Sequence, residues 1–153
     1  MQAKPGAPPA KSRVALALDW QPHFRDNAGK AYLLSFIAGA IAEDDPDEAL
    51  RLSDRYCALV VDNPDEYPCR LRDRGNLLLK CGRPAESVAF IAALTAQDPL
   101  REGLKQLEMA KGLVALGSLS EARTCLVEGK RIVSEMDFAF LRPIIQKIEH
   151  AVS

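Results

Sequence analysis

The chain has 153 residues, 48% of them hydrophobic and 27% charged, with 20 basic side chains against 21 acidic ones. This is the size of one domain with a core of its own, and it is too apolar for a disordered chain. The near-neutral charge excludes the cationic excess of a nucleic-acid binder, and the longest apolar run, 32–42, falls short of the roughly 20 residues that span a bilayer.

In chain order, residues 1–11 hold Pro5, Pro8, Pro9 and Gly6, which predicts a disordered tail. Residues 12–25 are expected to form a short helix, Arg13 to Trp20, and a linker broken by Pro22. A helix that short is unstable alone, so it must pack on something; a homodimer formed through residues 13–20 is one expectation. Asp26 or Asn27 then caps a helix to about Ala42. Asp45-Pro46 starts the next, with Asp47 and Glu48 in its positively polarised first turn, and Asn63-Pro64 ends it. Further helices are predicted over about 67–81, 84–97, 100–116, 119–135 and 138–151, with Ser118 or Ser120 capping the one that starts at 119. No segment combines period-2 alternation with β-branched residues, so the expected class is all-α. The short connections make neighbouring helices antiparallel.

Two of these stretches repeat. Laying "AKGLVALGSLSEARTCLVEGKRI" (110–132) under "GNLLLKCGRPAESVAFIAALTAQDP" (75–99) aligns Gly117 with Gly82, Ala110 with Gly75, Ala122 with Ser87 and Leu126 with Ile91. The offset is 35 residues throughout, as in stacked helical hairpins. Small residues belong where two helices approach closely: Gly75, Ala110 and Gly39 on the first helix of each pair, Ala49, Ser87 and Ala122 on the second. Gly129 is expected to admit the helix that follows.

These positions resemble the tetratricopeptide repeat in the small residue of helix A, the turn glycine, the small residue of helix B and the closing proline. Leu71 and Gln106 stand where that family usually has an aromatic. The resemblance implies a stack of about three antiparallel hairpins over 26–153 with a C-terminal capping helix. It also implies binding of a protein or peptide along a concave groove lined by the first helices. Carried over position by position, that groove is lined by Leu33, Phe36, Cys69, Arg72, Asn76, Leu79, Lys80, Leu104, Leu107, Lys111 and Val114. On this reading, exchanging Leu79 and Leu107 for charged residues weakens binding and leaves the helices intact.

The plan of a proline-containing tail, a short amphipathic helix, three hairpins and a closing helix is also similar to the class II chaperones of bacterial type III secretion. The stretch "LEMAKGLVALGSLSEARTCLVEGKRIVSEMDFAFLRPIIQKIEHAV" carries this likeness most closely. It implies a cytoplasmic protein that covers an apolar segment of a secreted translocator or filament subunit. The alternative is a repeat scaffold or adaptor joining permanent partners.

No motif supports catalysis: there is no nucleophile–base grouping, phosphate loop or HExxH, so neither an enzyme nor a cofactor is expected. Cys57, Cys69, Cys81 and Cys125 form no CxxC pair, and only His23 and His150 could join them, so free thiols in a reducing compartment are expected rather than zinc. "MQAKPGAPPAKS" lacks the apolar core of a signal peptide. The basic run Arg70, Arg72, Arg74, Lys80 and Arg83 is read as a solvated face.

Overall fold

The computed structural model describes residues 24–135 and 139–153, together with Ala15 and Asp19. The expected tail and nearly all of the expected helix over 13–20 lie outside the described residues. Among the described residues there are seven α-helices, a single 3-10 turn and no strand. The helices are α1 (Asn27–Ile41), α2 (Pro46–Leu59), α3 (Glu66–Lys80), α4 (Pro84–Ala93), α5 (Pro99–Ala115), α6 (Leu119–Ser134) and α7 (Arg142–Val152), and the 3-10 turn Ala139–Leu141 precedes α7. The chain divides into two compact units, one ending at Cys81 and the other beginning at Gly82. The boundary falls in the turn of the second expected hairpin, where the sequence reads as one continuous repeat domain.

The helix starts follow from local chemistry. Asp26 Oδ1 accepts from the Gly29 amide at 2.7 Å, Asp45 Oδ1 from Glu48 at 3.1 Å, and Asp98 Oδ1 from Arg101 at 2.8 Å. Each satisfies an amide that the first turn leaves without a partner. Pro46, Pro84 and Pro99 sit in first turns, where the missing N–H costs nothing. Ser118 occupies the cap of α6 but its hydroxyl makes no capping bond. Helix α5 ends in a left-handed Gly117, φ 77°, with the Ser118 amide on the Leu113 carbonyl and the Gly117 amide on that of Val114. That bond pair closes a helix where a residue without a side chain allows positive φ. Gly82, one 35-residue offset earlier, has φ 75°.

Helix α4 stops at Ala93, four residues before the expected end. Leu94 turns extended at ψ 136°, and its carbonyl accepts from Lys105 Nζ at 2.7 Å. Asp98 must also be extended because a proline follows, so the chain has to leave the helix before it.

In the first unit, α1 and α2 form a hairpin and α3 packs on both. Its core gathers Ala31, Leu34, Ile37, Ala38, Ile41, Ala49, Leu52, Tyr56, Val60 and Leu77. Ala38, fully buried, takes the small position assigned to Gly39, whose backbone is partly exposed. Helices α1 and α3 run parallel, because Ser35 meets Arg70 and, further along both helices, Gly39 meets Lys80. The Ser35–Arg70 bond and the contact of Cys81 Sγ with the Pro46 carbonyl each join residues 35 apart in sequence. That is the repeat offset read from the sequence, and it places α3 as the next first-type helix.

The second unit has the same plan, preceded by α4: α5 and α6 form the hairpin, and α7 packs on both. Its core holds Leu107, Ala110, Leu113, Ala122, Leu126, Val133, Leu141, Ile148 and Val152. A Cβ on Gly129 would lie 2.8 Å from Leu107 Cδ2, and one on Gly103 3.2 Å from Ile132 Cγ2. Gly129 therefore receives the preceding helix, α5, rather than the following one. The Arg123 guanidinium donates from Nε at 3.0 Å and from a terminal nitrogen at 2.7 Å to the Val152 carbonyl, placing a cation at the negative end of α7.

Helices α4 and α5 touch at Gly112, where an added Cβ would stand 2.5 Å from Val88 Cγ2. Gly112→Ala gains about 1 kcal/mol of helix propensity, but forcing a methyl into a closed seam costs about 1–3 kcal/mol. The overpacking is expected to win, lowering the thermal midpoint by several degrees, and adding Val88→Ala should restore part of the loss. An unchanged midpoint in Gly112→Ala would contradict the close approach of these two helices.

Candidate protein-docking site

The expected lining residues fall in both units, and each set is placed by its own helices. In the first unit, Phe36 is 70% exposed and its neighbour one helical turn earlier, Tyr32, is 61% exposed. Residues four apart share a face, so two aromatic rings stand side by side on α1 without an apolar cover among the described residues. Leu33, beside them, is partly buried against the first unit's core. On α3, Cys69, Arg72, Asn76 and Leu79 are partly buried and Lys80 is exposed. The Cys69 thiol donates to the Asp65 carbonyl within its own helix at 3.5 Å.

The aromatic pair has a polar foundation. Arg70 is 7% exposed, its guanidinium carbon 5.4 Å from the centre of the Tyr32 ring. It donates to Ser35 Oγ at 3.2 Å and faces Asp73 at 3.4 Å. A guanidinium over a ring face is favourable by charge, and the carboxylate meets the need of a buried cation for a partner. Burial lifts the Asp73 carboxyl above its ordinary range, with Arg70 opposing that shift. The arrangement holds Tyr32 from beneath while leaving its outer face to solvent.

This corrects the reading of the basic run as a solvated face at Arg70, while Lys80 and Arg83 are exposed as that reading expects. Arg70 is buried, Arg74 donates to Ser53 and pairs with Asp54, and Arg83 is bidentate with Glu86 at 2.7 and 2.6 Å. Lys80 differs. Its ammonium nitrogen lies 3.3 Å from where a Cβ of Gly39 would stand. Gly39 follows Phe36 by three positions, on the same face of α1. Tyr32, Phe36 and the Lys80 ammonium thus form one stripe. Tyr32 and Arg70 were absent from the residues carried over from the repeat; the i, i+4 spacing of two aromatics was the signal for the first, and nothing local signalled the burial of the second.

In the second unit, Leu104 and Val114 are partly buried and packed against its core, and Lys111 is partly buried. Leu107 must be withdrawn from the expected groove lining. It is 1% exposed and fills the space that Gly129 leaves on α6, so its side chain belongs to the hairpin seam. The resemblance to the repeat implied a groove lining of Leu104, Leu107, Lys111 and Val114 on α5, but α6 comes close enough at Gly129 to take Leu107 into the core.

In the first unit, α2 carries Tyr56 in the core and Cys57 packed against it. Burial raises the Tyr56 phenol and pushes the Cys57 thiol up to about 11. At pH 8 the Cys57 thiolate is therefore about one part in a thousand, and the thiolate is the reactive form. Alkylation of Cys57 by iodoacetamide at pH 8 should be at least tenfold slower in the native protein than in denaturant, and should speed up as pH approaches 11. Equal native and denatured rates would show that the thiol is not held in the first unit's core.

No helix among the described residues is long and apolar enough to cross a membrane. No family model, curated protein or solved structure matches the chain.

Proposed function

We propose that this chain is a protein-binding helical module of the tetratricopeptide kind, and that it holds an apolar segment of a protein client. The observation that carries this reading is the aromatic pair of α1, Tyr32 and Phe36, presented to solvent above a buried Arg70–Asp73 support. Aromatic side chains bury large apolar area and dominate the energetics of docking surfaces. A ring held over a guanidinium has less freedom to lose on binding, which lowers the entropic cost of association. The two hairpin-plus-helix units and the 35-residue contacts of α1 and α2 with the α3 end also support the repeat reading.

The client class follows from the resemblance: a secreted translocator or filament subunit of type III secretion, held in the bacterial cytoplasm before export. Subunits made for assembly expose apolar surface, and covering it prevents premature association. Photo-crosslinking from position 36, with identification of the attached protein in the native host, tests the reading. The expected product is one dominant adduct with an aggregation-prone secreted subunit. Several adducts with permanent cytoplasmic partners would point to a scaffold, and no adduct at all would remove the docking role from α1.

A further inference from the structure

We propose that the α1 stripe selects a client segment in which apolar side chains are followed closely by a carboxylate, read by Lys80. The inference rests on the docking role of Tyr32 and Phe36 and concerns the chemistry of what they accept. The neighbouring arginines already have acid partners: Arg70 faces Asp73, and Arg74 pairs with Asp54. Lys80 has no carboxylate at ion-pair distance among the described residues, yet its ammonium lies against α1 at Gly39, beside Phe36. A glycine there leaves room for the cation to rest on the helix surface, where a side chain would displace it. The result is two rings and one uncommitted cation within about two helical turns, or roughly 10 Å. An apolar segment lying over Tyr32 and Phe36 would carry its next side chain to the ammonium. A carboxylate is favoured at that point and an ammonium is disfavoured, because complementary charge mainly confers selectivity.

The test is an NMR titration of the full chain, following the Tyr32 and Phe36 ring protons and the Lys80 side-chain methylene. The probes are capped peptides of leucine and phenylalanine followed by aspartate, with twins carrying asparagine or lysine instead. The aspartate peptide is expected to bind about three- to fivefold more tightly than the asparagine twin, the size of one exposed ion pair. That preference should shrink between about 0.02 and 0.5 M salt. Lys80→Gln should bring the ratio of the two affinities to about one, and Lys80→Arg should keep it. If Phe36→Ala weakens both peptides but the wild type does not distinguish them, the docking role stands and the selectivity is overturned. If neither peptide shifts the rings, both are overturned. A concentration-dependent dimer that Phe36→Ala dissolves would assign the stripe to a second copy of the chain, and would also overturn the proposal.

Discussion

Leu107→Asp is expected to unfold the second unit at ambient temperature. The side chain is 1% exposed and reaches into the notch at Gly129, so the substitution removes a filled volume and puts an ionised carboxylate among Ala110, Leu126 and Val133. Loss of the leucine alone costs about 2–5 kcal/mol, the range for large-to-small changes in a core. The unpaired charge adds several kcal/mol or protonates to avoid it, and the sum is comparable with the whole stability of a small domain. Circular dichroism should show a large loss of helix for Leu107→Asp, and Leu107→Ala should stay folded with a midpoint lower by many degrees. This outcome is the reverse of what the groove assignment of Leu107 implies, namely a charged variant that folds and merely binds less well. A Leu107→Asp protein with native helical content would show that α5 does not seat on α6 through this residue.

The converse is expected of the aromatic pair. Replacing Tyr32 and Phe36 together by alanine should leave the thermal midpoint within a few degrees, since surface positions usually contribute within about 0.5 kcal/mol. Phe36 is the cleaner of the two, because Tyr32 also loses its contact with Arg70. Client binding should fall by about two orders of magnitude. Each ring, once buried by a client, contributes roughly 1.5–3 kcal/mol, and losses of this size are typical where a few aromatic anchors carry an interface. Affinity for the crosslinked client, measured by titration calorimetry on both proteins, checks it. Val127, equally exposed on α6, supplies the control, and Val127→Ala should bind as the wild type does. Unchanged affinity in the Tyr32/Phe36 double variant would move the binding surface off α1.

Much of the secondary structure was legible because its signals are local. Asp26, Asp45 and Asp98 cap helices by reaching an amide three residues on, and prolines follow two of them directly; such signals need no distant partner. Gly82 and Gly117 share a left-handed turn because each must end one helix and start another within a few residues. The 35-residue offset linking Gly75 to Ala110 and Ser87 to Ala122 was visible for a related reason: close helix packing tolerates only small side chains, and it leaves them at fixed intervals.

The candidate docking site was legible only in part. Helical periodicity assigns a residue to a stripe, but a stripe covers about 100° of the helix, and its edges are claimed by whichever neighbour comes near. Phe36 is exposed because no helix among the described residues packs over that part of α1, whereas Leu107 is buried because Gly129 on α6 opens a hole that its side chain fills. Arg70 shows the same limit for charge. Its sequence neighbours suggest a solvated basic run, but Ser35 and Tyr32, half a chain-unit away, make a buried seat for it. The sequence by itself determined where helices begin, end and recur, since those depend on capping, proline and backbone sterics within a few residues. Only the tertiary structure decided which side chains on those helices are free to meet another molecule, since burial is set by what the chain brings back from far along its length.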